Sequence, residues 1–366
     1  MRALGRALVA SPWPLTFAVW VPLALLLAAR FAAQWSAGGL EGQPWFHPIP
    51  PRGAWIPWIH PPGYAEFMHQ ISVLSDRLWI DEGVLIFILA GLVQASLVVL
   101  FTRELHLRVG APWAWFGGFL LLFSPAALRP FEHYPLAKGL VTVGGLLALR
   151  FVREGGKGAV FGAFAASLAA VMLHLSAWFV VGPAWAAASV SATVRRKPVV
   201  AATAGLVLVF LALGFTGLYE LIATTEPERN KSAAGVVAWA NLTYEWNDPW
   251  LWVPLAAWLL PGVSVARRDG AVLAFGMGAY CVVTGALMWQ SLVIGGSWVG
   301  SHHYFELIDG LACFAAAASL GAAWKASTRR RTRGLILAVT AALGLQHLRL
   351  WFRAIAKLEE LVLYAG

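Results

Sequence analysis

About eleven apolar stretches, each near the roughly 20 residues that a membrane-spanning helix needs, follow one another along this chain. Only 12% of the residues are charged, whereas soluble globular domains carry about 25%. A chain this apolar cannot cover a water-soluble globule with polar groups. The sequence therefore predicts an all-α polytopic membrane protein that forms a single transmembrane domain over residues 1–366.

Charged or proline-rich turns separate the predicted spans, and two further segments have the amphipathic spacing of helices that lie in a membrane interface. The interfacial segments are residues 64–79 and the C-terminal segment 348–366. The fifth and sixth spans are interrupted only by His174, so they could equally form one bent helix. The eleven predicted spans lie near residues 12–33, 82–101, 111–128, 134–152, 159–173, 176–193, 198–221, 249–265, 271–290, 305–325 and 334–351.

Lysine and arginine clusters fall on one side of this layout, which the positive-inside rule assigns to the cytoplasm. The rule accounts for the net charge of +9. A nucleic-acid partner is not expected, because the bases form short clusters at helix ends and no basic soluble domain is present. The clusters are Arg2 and Arg6; Arg103 and Arg108; Arg150, Arg153 and Lys157; Arg195, Arg196 and Lys197; Arg267 and Arg268; and Lys325 with Arg329, Arg330, Arg331 and Arg333.

The first outer loop, residues 35–64, is rich in proline and tryptophan. Proline fixes its own φ and restricts the residue before it, so holding such a loop in one shape costs less entropy than holding a glycine-rich one. The loop carries one acid, Glu41, one arginine, Arg52, and the histidines His47 and His60. Its composition predicts a preformed site at the outer membrane surface.

Most other acids and histidines also fall on the outer side, so any chemistry is expected there. A second polar turn, residues 123–139, ends the third predicted span, and a third polar segment, residues 301–305, precedes the tenth. Charges this dense between two spans usually face a cavity or a partner. The second turn holds Arg129, Glu132, His133, Tyr134 and Lys138, and the third holds His302 and His303.

Two of these segments resemble motifs of the GT-C type membrane glycosyltransferases, which include protein O-mannosyltransferases, aminoarabinose transferases and bacterial relatives. His60-Pro61-Pro62-Gly63-Tyr64 resembles the H-P-P-L-Y turn of the family, and Ser124-Pro125 followed by residues 129–136 is similar to its S-P turn and E-x-R-x-Y-x-L segment. The SHHYF segment is similar in position to the family's R-Y-L. The resemblance covers roughly residues 12–155, and the helices of residues 156–366 agree in topology alone.

The resemblance implies transfer of a sugar from a polyprenyl-phosphate-linked donor to an acceptor on the non-cytoplasmic face of a bacterial inner membrane. Glu41 is the only acid before the H-P-P turn, where the family carries aspartate, and is assigned as the catalytic base. Arginine, lysine and histidine would hold the phosphate. The substrate-binding residues are expected to be His60, Tyr64, Arg52, Arg129, Glu132, Tyr134, Lys138, His302 and His303.

Each assignment has a simpler alternative. Glu41 could be a solvated loop acid, His60 could only fix the proline turn, and the cations could reach lipid headgroups by snorkelling. No cofactor is expected; the histidines lack metal-ligand spacing, so no metal ligand is assigned, although metal dependence is left open. Partners are expected to be the lipid-linked donor, membrane lipids and an acceptor glycan, lipid or protein. The rival functions are a catalytically inactive GT-C-like protein and a transporter or flippase of a lipid-linked substrate, for which Asp309 is the main intramembrane candidate.

Overall fold

In the computed structural model, residues 11–36, 62–124, 134–173, 177 and 309–365 are described, and every regular element among them is helical. The prediction of an all-α protein is therefore confirmed for this part of the chain. Apart from Ala177, the predicted spans 176–193, 198–221, 249–265 and 271–290 lie outside it. The helices are α1, which comprises Trp13–Leu15, a π-helical segment Thr16–Trp20 and Val21–Ser36; α2, Pro62–Leu78; α3, Glu82–Val109; α4, Ala111–Leu122; α5, Tyr134–Glu154; α6, Lys157–Leu173; α7, Asp309–Ala326; and α8, Arg330–Ala365.

Two helices among the described residues are long and apolar enough to cross a membrane: one over Trp13–Arg30, and Glu82–Val109. Three shorter apolar helices, over Ala111–Leu122, Lys157–Leu173 and Gly310–Ala326, accompany them. These helices indicate that the protein associates with a membrane.

Contacts between helices fix their relative direction. Helices α3, α5 and α7 run parallel. Gly139 of α5 lies against Val93 of α3, and further along both helices an ion pair joins Arg153 of α5 to Glu104 of α3. Phe101 and Phe314 are likewise in edge-to-face contact between α3 and α7. Because α4 and α6 return in the opposite direction, basic residues gather at one end of the bundle. We call the end with Arg108, Arg153 and Lys325 the inner end, and the end with Lys138 and Gly310 the outer end.

Glycines let the helix axes approach one another in the middle of the bundle. A Cβ at Gly139, Gly144 or Gly145 would lie 2.6–2.7 Å from Val93, Ser167 or Leu311 on the three neighbouring helices. Small residues at such crossings are the usual basis of close packing between apolar helices, whose side chains gain little from the hydrophobic effect within lipid. Helix α5 is therefore the centre around which α3, α6 and α7 pack.

Caps set the boundaries of α3. The carboxylate of Asp81 accepts hydrogen bonds from the backbone N–H groups of Gly83 and Val84, which satisfies orphan donors at the helix start. Gly110, at φ 96°, ends the helix in a left-handed conformation that side-chain-bearing residues rarely adopt. Pro112 then stands in the first turn of α4, where a missing N–H costs nothing.

Several boundaries differ from the predicted ones. Helix α2 begins at Pro62, so the last residues of the predicted outer loop already belong to the interfacial helix. The third span is shorter than predicted and ends at Leu122. The expected short C-terminal interfacial helix is not separate: residues 330–365 form one continuous helix, because no proline or capping glycine interrupts it near residue 350. At 1.5 Å per residue α8 is about 54 Å long, more than the hydrocarbon core of a bilayer requires.

Candidate functional site

Lys138 is the one predicted site residue whose side chain the structure describes. It lies in the second turn of α5 and is only 9% exposed. Its neighbours Leu136 and Ala137 pack with Leu173 of α6 and with apolar side chains of α2 and α3. An ammonium group is costly to remove from water, so a lysine in these surroundings needs polar or anionic partners, and it does take part in such an interaction. Lys138 therefore marks a polar position inside an apolar part of the outer end.

The start of α7 lies one helical turn from Lys138. The Thr142 hydroxyl donates a hydrogen bond of 3.0 Å to the Lys138 carbonyl, and Gly310 packs against the Thr142 side chain so closely that a Cβ there would clash. Asp309 is the first residue of α7. The start of α7 therefore packs against α5 one turn beyond Lys138.

Helix α2 reaches the same region from another side. Met68 and Ile71 are buried against Leu85 and Ile86 of α3. Phe67 contacts both this cluster and the one around Leu136. The amphipathic helix after the proline-rich loop therefore packs its apolar side against α3 and against the cluster shared by α5 and α6.

The remaining predicted residues divide into two groups. Tyr64 and Tyr134 lie at the starts of α2 and α5, where the backbone is described. The others lie outside the described residues: Glu41, Arg52, His60, Arg129, Glu132, His302 and His303. Each is attached in sequence to an outer-end helix terminus.

His69 is a polar residue of the outer end to which the sequence analysis assigned no role. It follows Met68 on α2, and its Nε2 atom is buried without a hydrogen-bond partner in the described structure. Its position nine residues after His60 on an amphipathic helix is the only sequence signal that distinguishes it. No group of three or more histidine, cysteine, aspartate or glutamate residues suited to a metal ion occurs among the described residues.

At the inner end the structure assembles a charged cluster that the sequence analysis did not predict. Glu104 is fully buried and forms ion pairs with Arg108 on its own helix and with Arg153 of α5, the latter at 3.4 Å. The Lys325 ammonium donates a 2.9 Å hydrogen bond to the Arg108 carbonyl. The spacing of Glu104 and Arg108 predicts a pair within the helix, but the partners from α5 and α7 depend on the tertiary structure.

Glu154 continues this cluster at the surface. Hydrogen bonds from Arg150 and Arg153 lower the pKa of its carboxyl to about 2 from the usual value of 4.5. The Arg150 bond is 2.7 Å long and Glu154 is exposed, so water and salt screen the interaction. The inner end thus pairs its two described acids with arginines.

No protein-family model, no curated protein and no solved structure matches this chain. The resemblance to GT-C glycosyltransferases consequently rests on the quoted motifs.

Proposed function

We propose that the protein is a polytopic membrane glycosyltransferase that transfers a sugar from a polyprenyl-phosphate-linked donor to an acceptor on the non-cytoplasmic face of a bacterial inner membrane. One observation carries the proposal: the helix starts that follow the predicted site segments meet around Lys138. Phe67 of α2 packs against the cluster formed by Leu136 and Ala137 of α5 and Leu173 of α6, and Gly310 of α7 packs on Thr142 one turn beyond Lys138.

Several of the proposed site residues are close in sequence to the ends of these helices. His60 precedes α2 by two residues and Glu132 precedes α5 by two. His303 lies six residues before α7, a separation that an extended chain covers in at most about 20 Å. Glu41 follows the end of α1 by five residues. Helix α1 runs toward the outer end, because Pro12 before it accepts a hydrogen bond from Trp115 near the inner start of α4, whereas Ala28 further along lies against Gly91 of α3. All four segments are therefore tethered to the outer end.

The proposed reaction is a substitution at the anomeric carbon of the sugar. The acceptor hydroxyl oxygen forms the new glycosidic bond, the bond from that carbon to the phosphate oxygen breaks, and the polyprenyl phosphate leaves with the bonding electrons. Glu41 takes the acceptor proton, a role for which apolar surroundings raise a carboxyl pKa toward the working range. Arg129 and Lys138 neutralise charge on the departing phosphate.

Burial suits Lys138 to this role. A buried cation beside the apolar cluster in which α2, α3, α5 and α6 meet acts on a phosphate with little screening by water. A cation that only snorkels would extend to the headgroup region and remain solvated. The 9% exposure of Lys138 supports phosphate binding over lipid contact.

The test uses the purified chain with a polyprenyl-phosphate sugar donor, measuring sugar transfer and donor binding separately. Glu41→Gln should abolish transfer while donor affinity stays unchanged, because the base acts only on the acceptor proton. Lys138→Met should weaken donor binding about tenfold or more, since a charge-assisted contact to phosphate contributes about 1.5–3 kcal/mol. Lys157→Met, at an exposed lysine of α6 at the inner end, is the matched control and should change neither quantity.

Transfer retained in the Glu41 variant would remove Glu41 as the base. Unchanged donor affinity in the Lys138 variant would assign that lysine to the packing of α5. Donor binding without transfer in the unaltered chain would instead favour the rival functions, a catalytically inactive GT-C-like protein or a transporter or flippase of the same lipid.

A further inference from the structure

The turn between α7 and α8 carries more positive charge than any other short segment of the chain. We call residues 325–333 the basic turn. Its five cations are Lys325, Arg329, Arg330, Arg331 and Arg333, and all of them are exposed. The turn lies at the inner end, opposite the proposed sugar-transfer site.

The conformation of the basic turn is held by contacts within the protein. Arg333 donates a 2.9 Å hydrogen bond from Nε to the Ser327 carbonyl, and its guanidinium lies 5.1 Å from the ring centroid of Trp324. Lys325 is bonded to the Arg108 carbonyl of α3. Two of the five cations, Arg333 and Lys325, thus hold the conformation of the turn. The other three, Arg329, Arg330 and Arg331, are exposed to solvent.

None of the ion pairs described for the chain compensates those three arginines. The inner-end acids Glu104 and Glu154 are already paired with arginines of α3 and α5. The first turn of α8 also contains no acid, although the positive end of a helix dipole favours one. Three cations at this place repel one another and the helix terminus, so an anion from outside would relieve an unfavourable charge arrangement.

Apolar side chains directly beyond the basic turn indicate what kind of anion fits. Leu335 is 65% exposed and Leu337 is 53% exposed on the first turns of α8. Trp324, beside Arg333, is an aromatic residue of the type that lies at membrane interfaces. A free phosphate would contact only the cations, whereas a lipid brings a charged headgroup and acyl chains together.

We propose that the basic turn binds the headgroup of an anionic phospholipid of the inner leaflet, with Leu335 and Leu337 against its acyl chains. This inference rests on the membrane location given under the proposed function but not on sugar transfer. Arg329, Arg330 and Arg331 contact the phosphate, and Trp324 with Arg333 holds the turn at headgroup level. The bound lipid would neutralise the start of α8.

The test measures binding of phosphatidylglycerol and phosphatidylcholine to the full chain in neutral detergent, by native mass spectrometry across a lipid titration. Phosphatidylglycerol should bind more tightly than phosphatidylcholine. Each Arg→Gln change among the three arginines should weaken its binding about fivefold, and the triple variant about a hundredfold, since each basic residue near an anionic lipid surface contributes about 1 kcal/mol. Inorganic phosphate at millimolar concentration should not displace the lipid.

Two controls separate this site from the general positive charge of the inner end. The triple Arg→Lys variant should keep the preference, because lysine preserves the charge; Lys157→Gln should also keep it, because that lysine lies on α6 away from the turn. Equal binding of the two lipids, an unchanged preference in the triple Arg→Gln variant, or an equal loss in Lys157→Gln would overturn the proposal. Displacement by phosphate would reassign the turn to soluble anions. Because sugar transfer is not measured, failure here leaves the proposed function untouched.

Discussion

The two ends of the bundle are built on different physical principles. At the inner end, charged side chains hold the helices together. Buried Glu104 of α3 forms an ion pair with Arg153 of α5, and Lys325 of α7 donates a hydrogen bond to a backbone carbonyl of α3. At the outer end, apolar contacts dominate, and Lys138 is the one buried cation among the described residues there. Close glycine packing occurs toward both ends, with Gly310 against Thr142 and Gly321 against Val109. Segments that adjoin the helices of the outer end in sequence contain most of the other proposed site residues.

This difference indicates which end is suited to chemistry. Ion pairs buried between helices hold the structure, and their charges are already engaged with one another. A bundle closed by small and apolar residues can instead place polar groups from several loops around one cavity. The inner end is therefore expected to respond to mutation through stability, and the outer end through substrate binding and turnover.

Loss of the Glu104 charge should produce the largest effect on stability. Glu104→Gln leaves Arg108, whose side chain is 7% exposed, without its carboxylate. Breaking a buried pair in this way costs about 3–5 kcal/mol. Thermal and denaturant unfolding of the purified chain in detergent would measure the change.

Glu154→Gln is the matched control for that experiment. Its carboxylate is exposed and bonded to Arg150 and Arg153, and surface pairs contribute about 0–1 kcal/mol. Equal stability losses in the two variants would show that burial of Glu104 does not distinguish it, and the contrast between the two ends would fail.

A methyl group at Gly310 should produce the next largest effect, at the outer end. In Gly310→Ala the added Cβ meets the β-branched side chain of Thr142, which cannot rotate away easily. Overpacking of this kind costs about 1–3 kcal/mol. It should also move the start of α7 away from Lys138, so donor affinity should fall along with unfolding stability.

Gly334→Ala tests whether the effect comes from packing. Nothing lies within 4 Å of a Cβ at that position in α8, so this variant should be more stable by about 0.5–1 kcal/mol, the usual gain of alanine over glycine in a helix. In the double variant Gly310→Ala with Thr142→Ala, removal of the opposing side chain should recover donor affinity. If it does not, the close approach of α7 to α5 is not what shapes the site.

The smallest predicted effect is the pH dependence of Glu154. Its folded-state pKa of about 2 lies below the usual value of 4.5, so its arginine contacts stabilise the folded state above pH 4.5 and that contribution disappears as the pH falls toward 2. The difference in unfolding temperature between the unaltered chain and Glu154→Gln should therefore shrink between pH 5 and about pH 2. Added salt should reduce it at every pH, because the group is exposed. A difference that grew on acidification would contradict this sign.

The helical class and the gathering of basic residues at one end followed from local patterns. Apolar runs long enough to cross the hydrocarbon core of a bilayer predict helices. Basic residues in every second loop between these runs predict that successive helices alternate in direction. Helix α3 begins where the second span was predicted to begin, but it continues to Val109, beyond the predicted residue 101, and Gly110 ends it. The extent of α8 was missed, since a polar, arginine-containing stretch continues a helix as readily as it ends one.

The amino-acid sequence by itself determined an all-α chain with apolar helices, a basic inner end and polar segments between the helices, because helix periodicity and charge are properties of neighbouring residues. Only the tertiary structure decided that Gly310 meets Thr142, that Phe67 packs against the cluster shared by α5 and α6, and that Arg153 reaches Glu104. These partners are tens to hundreds of residues apart in the chain. Their approach depends on the shapes of whole helix faces packing together, and no short segment specifies that fit.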